Sequence, residues 1–204
     1  MDGSQSGVLL NRSGTSARDR VIALGPGNEI LGETHPEADG RWSMTVGGAA
    51  SRIVAQEAGE RIGAAIAQVA DSGQITLPAV IPVEFTFDPV VQGAELAVDP
   101  LALTGFPGDL LWVLRTHPSN VIDLHVGQYS VGPSPVRVDL QSGRYRLSGG
   151  RLALHPVISQ AQAAQRLAGV ENVATGQRLN ATNGEIVLDV SGPARYRVTF
   201  EPSP

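Results

Sequence analysis

The residues able to do chemistry are few and far apart. His35, His117, His125 and His155 are the histidines of the chain, and none stands two or four positions from another. Neither an H-x-H pair nor an H-E-x-x-H helix is therefore present to start a metal site. His117 and His155 each precede a proline, which places them in loops or at strand ends. Asp99, Asp109, Asp123, Asp139 and Asp189 are the carboxylates from which a glycoside-cleaving pair would be drawn. Such a pair needs a separation of about 5 to 9.5 Å, which spacing along the chain does not set. The run HPEADG around Asp39 lacks the alternating ligand series of a calcium loop. No G-x-S-x-G, phosphate-binding loop or G-x-G-x-x-G occurs, and the chain has no cysteine. Thiol nucleophiles, disulfides and cysteine zinc sites are excluded together. The expectation is a protein without catalytic residues, metal or cofactor, hence not an enzyme.

Recognition is the remaining chemistry. Trp42, Trp112, Tyr129, Tyr145 and Tyr196 are the rings suited to stacking on a sugar or anchoring an interface. Trp112 sits in the apolar run LLWVL and reads as core. That leaves Trp42, and Tyr129 in the loop-like Gly127-Gln128-Tyr129-Ser130, as ligand-contact candidates. At 4% aromatic the chain is too poor in rings for a broad sugar platform.

The elements that must position these residues follow from composition and pattern. With 204 residues, 42% hydrophobic and 17% charged, the chain can bury a sizeable core. Its 24 glycines and 14 prolines suit short strands and tight turns better than a helical bundle. The net charge is −5, lysine is absent and the fifteen basic residues are scattered arginines, so no basic run tracks a nucleic-acid backbone. The opening MDGSQSGVLLNRSG lacks the charged start and apolar core of a signal peptide, and no stretch reaches the roughly 20 apolar residues of a membrane span. A chain made in the bacterial cytoplasm, with no membrane insertion, is expected.

Residues 1–56 break into short apolar runs divided by turns. Trp42, Met44 and Val46 alternate with Arg41, Ser43 and Thr45 as on a half-buried strand, and Asp39-Gly40 before them favours a tight type I′ hairpin. In Gln56 to Gly73, Ile62, Ile66 and Val69 recur at helical spacing, and Gly73 offers a stop. Gly59 and Gly63 each cost about 1 kcal/mol of helicity relative to Ala, so this linking helix over 57–73 needs a partner surface. Ile62, Ile66 and Val69 are accordingly the interface candidates, against the chain's own sandwich or another copy.

From residue 74 to 204 the pattern is strand-like again. Val83, Phe85 and Phe87 alternate with Glu84 and Thr86; Val136, Val138 and Leu140 alternate with Arg137 and Asp139; Tyr196, Val198 and Phe200 alternate with Arg195, Arg197 and Thr199. Leu110 to Leu114 reads as a central buried strand, Val121 to Val126 as a further strand and Gly149-Gly150 as a hairpin turn. Ser159 to Ala168 reads as a short inserted helix, with Ser159 and Gln162 as its capping box. The fold class expected is mainly β: a small N-terminal antiparallel sandwich, a linking helix, and a larger jelly-roll or Greek-key-like sandwich.

The run Ser6-Gly7-Val8, then Val21 to Leu24, then Gly32-Glu33-Thr34 leading into Ala38-Asp39-Gly40-Arg41-Trp42-Ser43-Met44, resembles the carboxypeptidase regulatory-like, or transthyretin-like, β-sandwich over about residues 6–56. In that family a T-x-x-D-G-x-F/W-x-I/L/M hairpin typically follows a V-x-L strand. The usual Pro-Gly-x-Tyr before the last strand is here Gly47-Gly48-Ala49-Ala50. The resemblance implies a sandwich with an adaptor or spacer role and no active site. In general character the whole chain resembles a virion component of a tailed phage or gene transfer agent: a head spike or fibre, or a tail-fibre or tail-tip adaptor. That resemblance implies other virion subunits, and self-association, as partners. The alternative is a carbohydrate-binding or adhesion module meeting a cell-surface glycan.

Overall fold

The computed structural model describes residues 3–11, 19–57, 61–68, 73–116, 128–151 and 164–203. Its contacts divide the chain into two compact units. The first joins Met1–Val80 with Ala102–Leu124, and the second joins Ile81–Leu101 with His125–Pro204. The protein is mainly β, as its turn-rich composition predicts.

The first unit holds β1 (Gly3–Leu10), β2 (Arg20–Leu24), β3 (Ile30–Thr34), β4 (Arg41–Val46), β5 (Arg52–Glu57), β6 (Arg61–Gln68) and β7 (Gln74–Thr76). One sheet runs β4-β1-β7 and the other β6-β5-β2-β3. Between them Leu9, Trp42, Met44, Val46, Ile75 and Leu77 meet Val21, Ala23, Ile53 and Ala55 in one apolar cluster. The alternation on β4 is as expected, with Trp42, Met44 and Val46 buried and Arg41, Ser43 and Thr45 exposed. The other residues of β2 and β5, Ile22, Leu24 and Val54, are also fully buried, so these strands are covered on both faces.

The Asp39-Gly40 turn forms, but not as type I′, because only Gly40 takes a positive φ, of 87°. Gly40 N donates to Glu37 O at 2.9 Å and Glu37 N donates to Arg41 O at 2.7 Å. This is a type I turn closed by a left-handed glycine, the three-residue hairpin loop with a bulge. A side chain at Gly40 would also strike the carbonyl of Leu9.

The expected linking helix over 57–73 is corrected by the structure. Residues 61–68 are the strand β6, paired antiparallel with β5 from Glu57↔Gly63 to Arg52↔Gln68. Gly63 weakens a helix here but the three alanines favour one, so it is the ladder with β5, a tertiary pairing that overrides local propensity, that makes this stretch a strand. Ile62 and Ile66 lie on β6, whereas Val69 lies outside the described residues.

The run LLWVL is corrected in the opposite direction. It forms α1 (Gly108–Thr116), with Asp109 in the first turn, where a carboxylate meets the positive helix end. Leu111 N donates to Pro107 O at 3.0 Å, the first bond of the helix. Leu110 and Leu111 are buried, but Trp112, expected in the core, is 67% exposed.

The second unit holds β8 (Val80–Phe87), β9 (Glu95–Leu103), β10 (Gln128–Ser130), β11 (Val136–Gln141), β12 (Gly143–Arg151), β13 (Gln165–Asn172), β14 (Arg178–Asn180), β15 (Glu185–Val190) and β16 (Ala194–Pro202). They run β10-β9-β12-β13-β16-β8-β11, with β14 added to β13 and β15 to β12. β16 runs parallel to β8, and β13 runs antiparallel to β16 with a bulge between Leu167 and Gly169. Val83, Phe85, Phe87, Val138, Leu140, Tyr145, Leu147, Val198 and Phe200 are buried. Phe85 stacks on Tyr196 and Phe87 on Phe200, with centroids 5.8 and 6.3 Å apart.

Two further expectations change here. Gly149-Gly150 is not a hairpin but part of β12, with φ near 148° and 147°. A Cβ at either would run into the carbonyls of Glu95 or Gln165, so the pair lets neighbouring strands approach β12 closely. Gln165 to Ala168, read as the end of an inserted helix, begins β13 instead, and 159–163 lie outside the described residues. Val121 to Val126 lies outside them as well.

Candidate functional site

The residues singled out from the sequence do not converge. Trp42 is 3% exposed in the core of the first unit, so its ring offers no surface to a glycan. Tyr129 is half-buried on the short β10, opposite Leu96 of β9. Among the aspartates, Asp99 is held by Arg146 and Asp189 by Arg144 at 3.3 Å. Asp109 lies in the first turn of α1, Asp139 lies on β11, and Asp123 lies outside the described residues, as do His117, His125 and His155. His35 Nδ1 lies 2.9 Å from Asp19 O, and its Nε2 lies 2.7 Å from Arg20, which also pairs with Glu33. Among the described residues, no group of three His, Asp or Glu side chains is placed to hold a metal.

Among the described residues two carboxylates, Asp19 and Glu57, are buried. Arg20 is paired with Gln56 in the β2-β5 ladder, so Asp19 and Glu57 stand one step further along it. They are 0% and 2% exposed, closed off from any substrate. Their place at the end of a doubly covered sheet is structural.

The outer face of the second unit is organised by charge. Glu84 on β8 is gripped by Arg137 of β11 at 3.1 Å and by Arg195 of β16. Glu171 on β13 stands between Arg178 of β14 at 3.9 Å and Arg197 of β16 at 3.8 Å. In both cases an acid on an interior strand is met by arginine from each flanking strand, which is the cross-strand pairing that stabilises sheets. At β15 the pattern is half complete. Asp189 meets Arg144, and Glu185 meets Arg146 at 3.8 Å, both from β12.

On the other flank of β15 lies a cleft of about 160 Å³. It is lined by Val170, Leu179, Val187, Leu188 and Tyr196, with Asn172, Gln177 and Asp189 supplying polar atoms. Tyr196 carries a phenol whose pKa is raised by burial and lowered in part by its hydrogen bond with Asn172. The turn beside the cleft is Asn183-Gly184, where both residues take positive φ, 54° and 79°. Asn-Gly is a strong hairpin signal in sequence, and here it marks the site. The arginine pairs carried a weaker signal, because spacing does not say which acid each arginine meets.

No family model matches this sequence, and no curated protein matches it. Among solved structures, the chain is similar to a Mobiluncus mulieris adhesin containing intramolecular disulfide, isopeptide and ester bond cross-links. The identity is 11% and the TM-score 0.33, over 99% of this chain and 98% of that one. A shaft pilin, SpaA from Lactobacillus rhamnosus GG, aligns at 11% identity and TM-score 0.24, over 99% of each chain. The Bacillus anthracis TIE protein aligns at 7% identity and TM-score 0.25 over 98% of this chain, which spans 33% of that protein's length. At these TM-scores the fold is established by the chain's own ladders and cores. With neither cysteine nor lysine, it lacks the thiols and ε-amines from which disulfides and lysine isopeptide bonds are made.

Proposed function

We propose that this chain is a non-enzymatic structural or adaptor component of a multi-copy assembly. The particle we favour is phage-like, with the chain as a head spike or fibre, or as a tail-fibre or tail-tip adaptor within the virion. The observation that carries the reading is Trp112, 67% exposed on α1 in a chain with only two tryptophans. Tryptophan is enriched at the buried centres of protein interfaces, where its large rigid ring fills a pocket on the partner. The run β1 to β5, with its Asp39-Gly40 turn leading into Trp42 and Met44, supports a regulatory-like sandwich over about residues 6–56 as one module of the adaptor. Light scattering at micromolar concentration tests the reading, alone and with particle fractions. A defined oligomer or particle association that weakens in Trp112→Ala is expected, and a stable monomer with no partner in particle preparations defeats it.

Tyr129 favours a second reading, a carbohydrate-binding or adhesion module. It is half-buried on β10, which ends the strand order of the second unit. A glycan array without hits removes that reading.

A further inference from the structure

We infer that the free edge of β15 is a docking site for an extended peptide strand with basic side chains on its outward positions and a small apolar side chain directed inward. The argument begins at the Asn183-Gly184 turn. Thr182 N donates to Glu185 O at 2.9 Å, and Glu185 N donates to Thr182 O at 3.0 Å. Backbone groups of an antiparallel strand point alternately to its two flanks. Since Glu185 is bonded on the flank away from β12, Val187 and Asp189 direct their N–H and C=O groups to that flank too, and Ile186, Leu188 and Val190 serve the β12 ladder. An ordinary hairpin would continue by pairing Val187 with Asn180. Here β14 turns instead to β13, where Ala181 N donates to Ala168 O at 2.8 Å. Among the described residues no strand pairs with β15 beyond Glu185 on this flank.

The side chains define the visitor. Inward positions of an added strand would meet the cleft walled by Val170, Leu179, Leu188 and Tyr196. At about 160 Å³ it takes one aliphatic side chain, well below the roughly 300 Å³ at which pockets for larger ligands begin. Outward positions would stand beside Glu185, Val187 and Asp189. Glu84 and Glu171 each have arginine on both flanking strands, whereas among the described residues Glu185 and Asp189 have it from β12 alone. An added strand completes the pattern with Arg or Lys four residues apart. A second copy of this chain does not fit: β15 against β15 centred on Val187 sets Glu185 opposite Asp189, and like charges directly opposite repel. The sequence also has no lysine and no two arginines four residues apart. The partner is therefore a different polypeptide, bound by strand addition.

The test is an amide NMR titration of the full chain with a capped peptide bearing the core Arg-Val-Thr-Val-Arg, beside the same peptide with both arginines replaced by glutamate. Saturable shifts at the Val187 and Asp189 amides are expected, with the acidic peptide binding at least about tenfold more weakly. Val187→Pro removes an edge donor without touching the β12 ladder, and should cut affinity at least about tenfold while spectral dispersion is kept. In the double variant Glu185→Gln, Asp189→Asn, the preference between the two peptides should vanish, a readout that stands even where the proline variant does not fold. The inference is overturned by no saturable shift at those amides, by equal binding of the two peptides to the parent chain, or by unchanged binding to a folded Val187→Pro protein.

Discussion

The β2-β5 pair of the first unit and the β13-β16-β8 sheet of the second draw on the same residue types but differ in exposure. Val21 to Leu24 and Ile53 to Glu57 are buried without a break, so β2 and β5 have no outer face. On β16 burial alternates, with Tyr196, Val198 and Phe200 inward and Arg195, Arg197 and Glu201 outward. Polar groups are treated accordingly. In the first sheet Gln56 and Glu57 are carried into the interior at 2% exposure. In the second, Glu84 and Glu171 remain on the outer face between arginines. A sheet covered on both sides commits every side chain to packing, while one with an outer face can write charge relationships there, and β15 leaves one unfinished.

The largest effect that would break this comparison is a charge placed in the doubly covered sheet. Val54 is 0% exposed. Val54→Asp buries a carboxylate without a built partner, and a loss of about 4 kcal/mol or more is expected in urea unfolding followed by circular dichroism. A loss below about 1 kcal/mol would mean that this face opens to water. Next is Gly150→Ala, whose Cβ would meet the Gln165 carbonyl at a φ of 147°. Strain and overpacking together set an expected cost of about 2 to 4 kcal/mol, read by the same unfolding curve.

The contrast also explains what the sequence disclosed. β4, β8, β11 and β16 were legible because each has one wet face, so the period of two is written in residue polarity. Gln56 to Gly73 carries no such alternation. The spacing of four between Ile62 and Ile66 is near one helical turn, yet being even it suits a strand equally well. LLWVL failed for the matching reason, since a short run apolar on all sides has no period to read. Its start signal was present in Pro107, Gly108 and Asp109, ahead of the first buried leucine. Of the ligand candidates, Trp42 sits on a correctly read strand but on its buried face. The cleft was announced by Asn183-Gly184, whereas its open flank depends on where β14 goes, which is a tertiary fact.

An intermediate effect sharpens the comparison through pH. Tyr145 is 0% exposed, and its hydroxyl donates to Gln141 O at 2.7 Å. Burial holds this phenol well above its ordinary value of 10. Below that value both folded and unfolded chains keep the proton, so the contribution is constant. Above it the unfolded chain ionises first, and stability should fall by up to about 1.4 kcal/mol per pH unit until the folded phenol also ionises. Tyr145→Phe should cost about 1 kcal/mol at neutral pH and flatten the alkaline decline, measured as urea midpoints against pH. An unchanged decline would assign it to other groups, Tyr196 among them.

The smallest expected effect concerns the outer face itself. Glu84 is 16% exposed, but its partners Arg137 and Arg195 are 82% and 61% exposed. Screening by water at the arginine ends limits each pair, so Glu84→Gln should cost about 1 kcal/mol or less, and less again at high salt. Double-mutant cycles with Arg137→Ala and Arg195→Ala separate the two sides of the grip. Coupling of a few tenths of a kcal/mol from each would mean that the second arginine adds to the first. That additivity is what an incoming strand needs at Glu185 and Asp189, where β12 already supplies one side. Were the second arginine to contribute nothing beside the first, basic residues on a strand added to β15 would bring no selectivity, and the backbone edge and cleft alone would have to choose the partner.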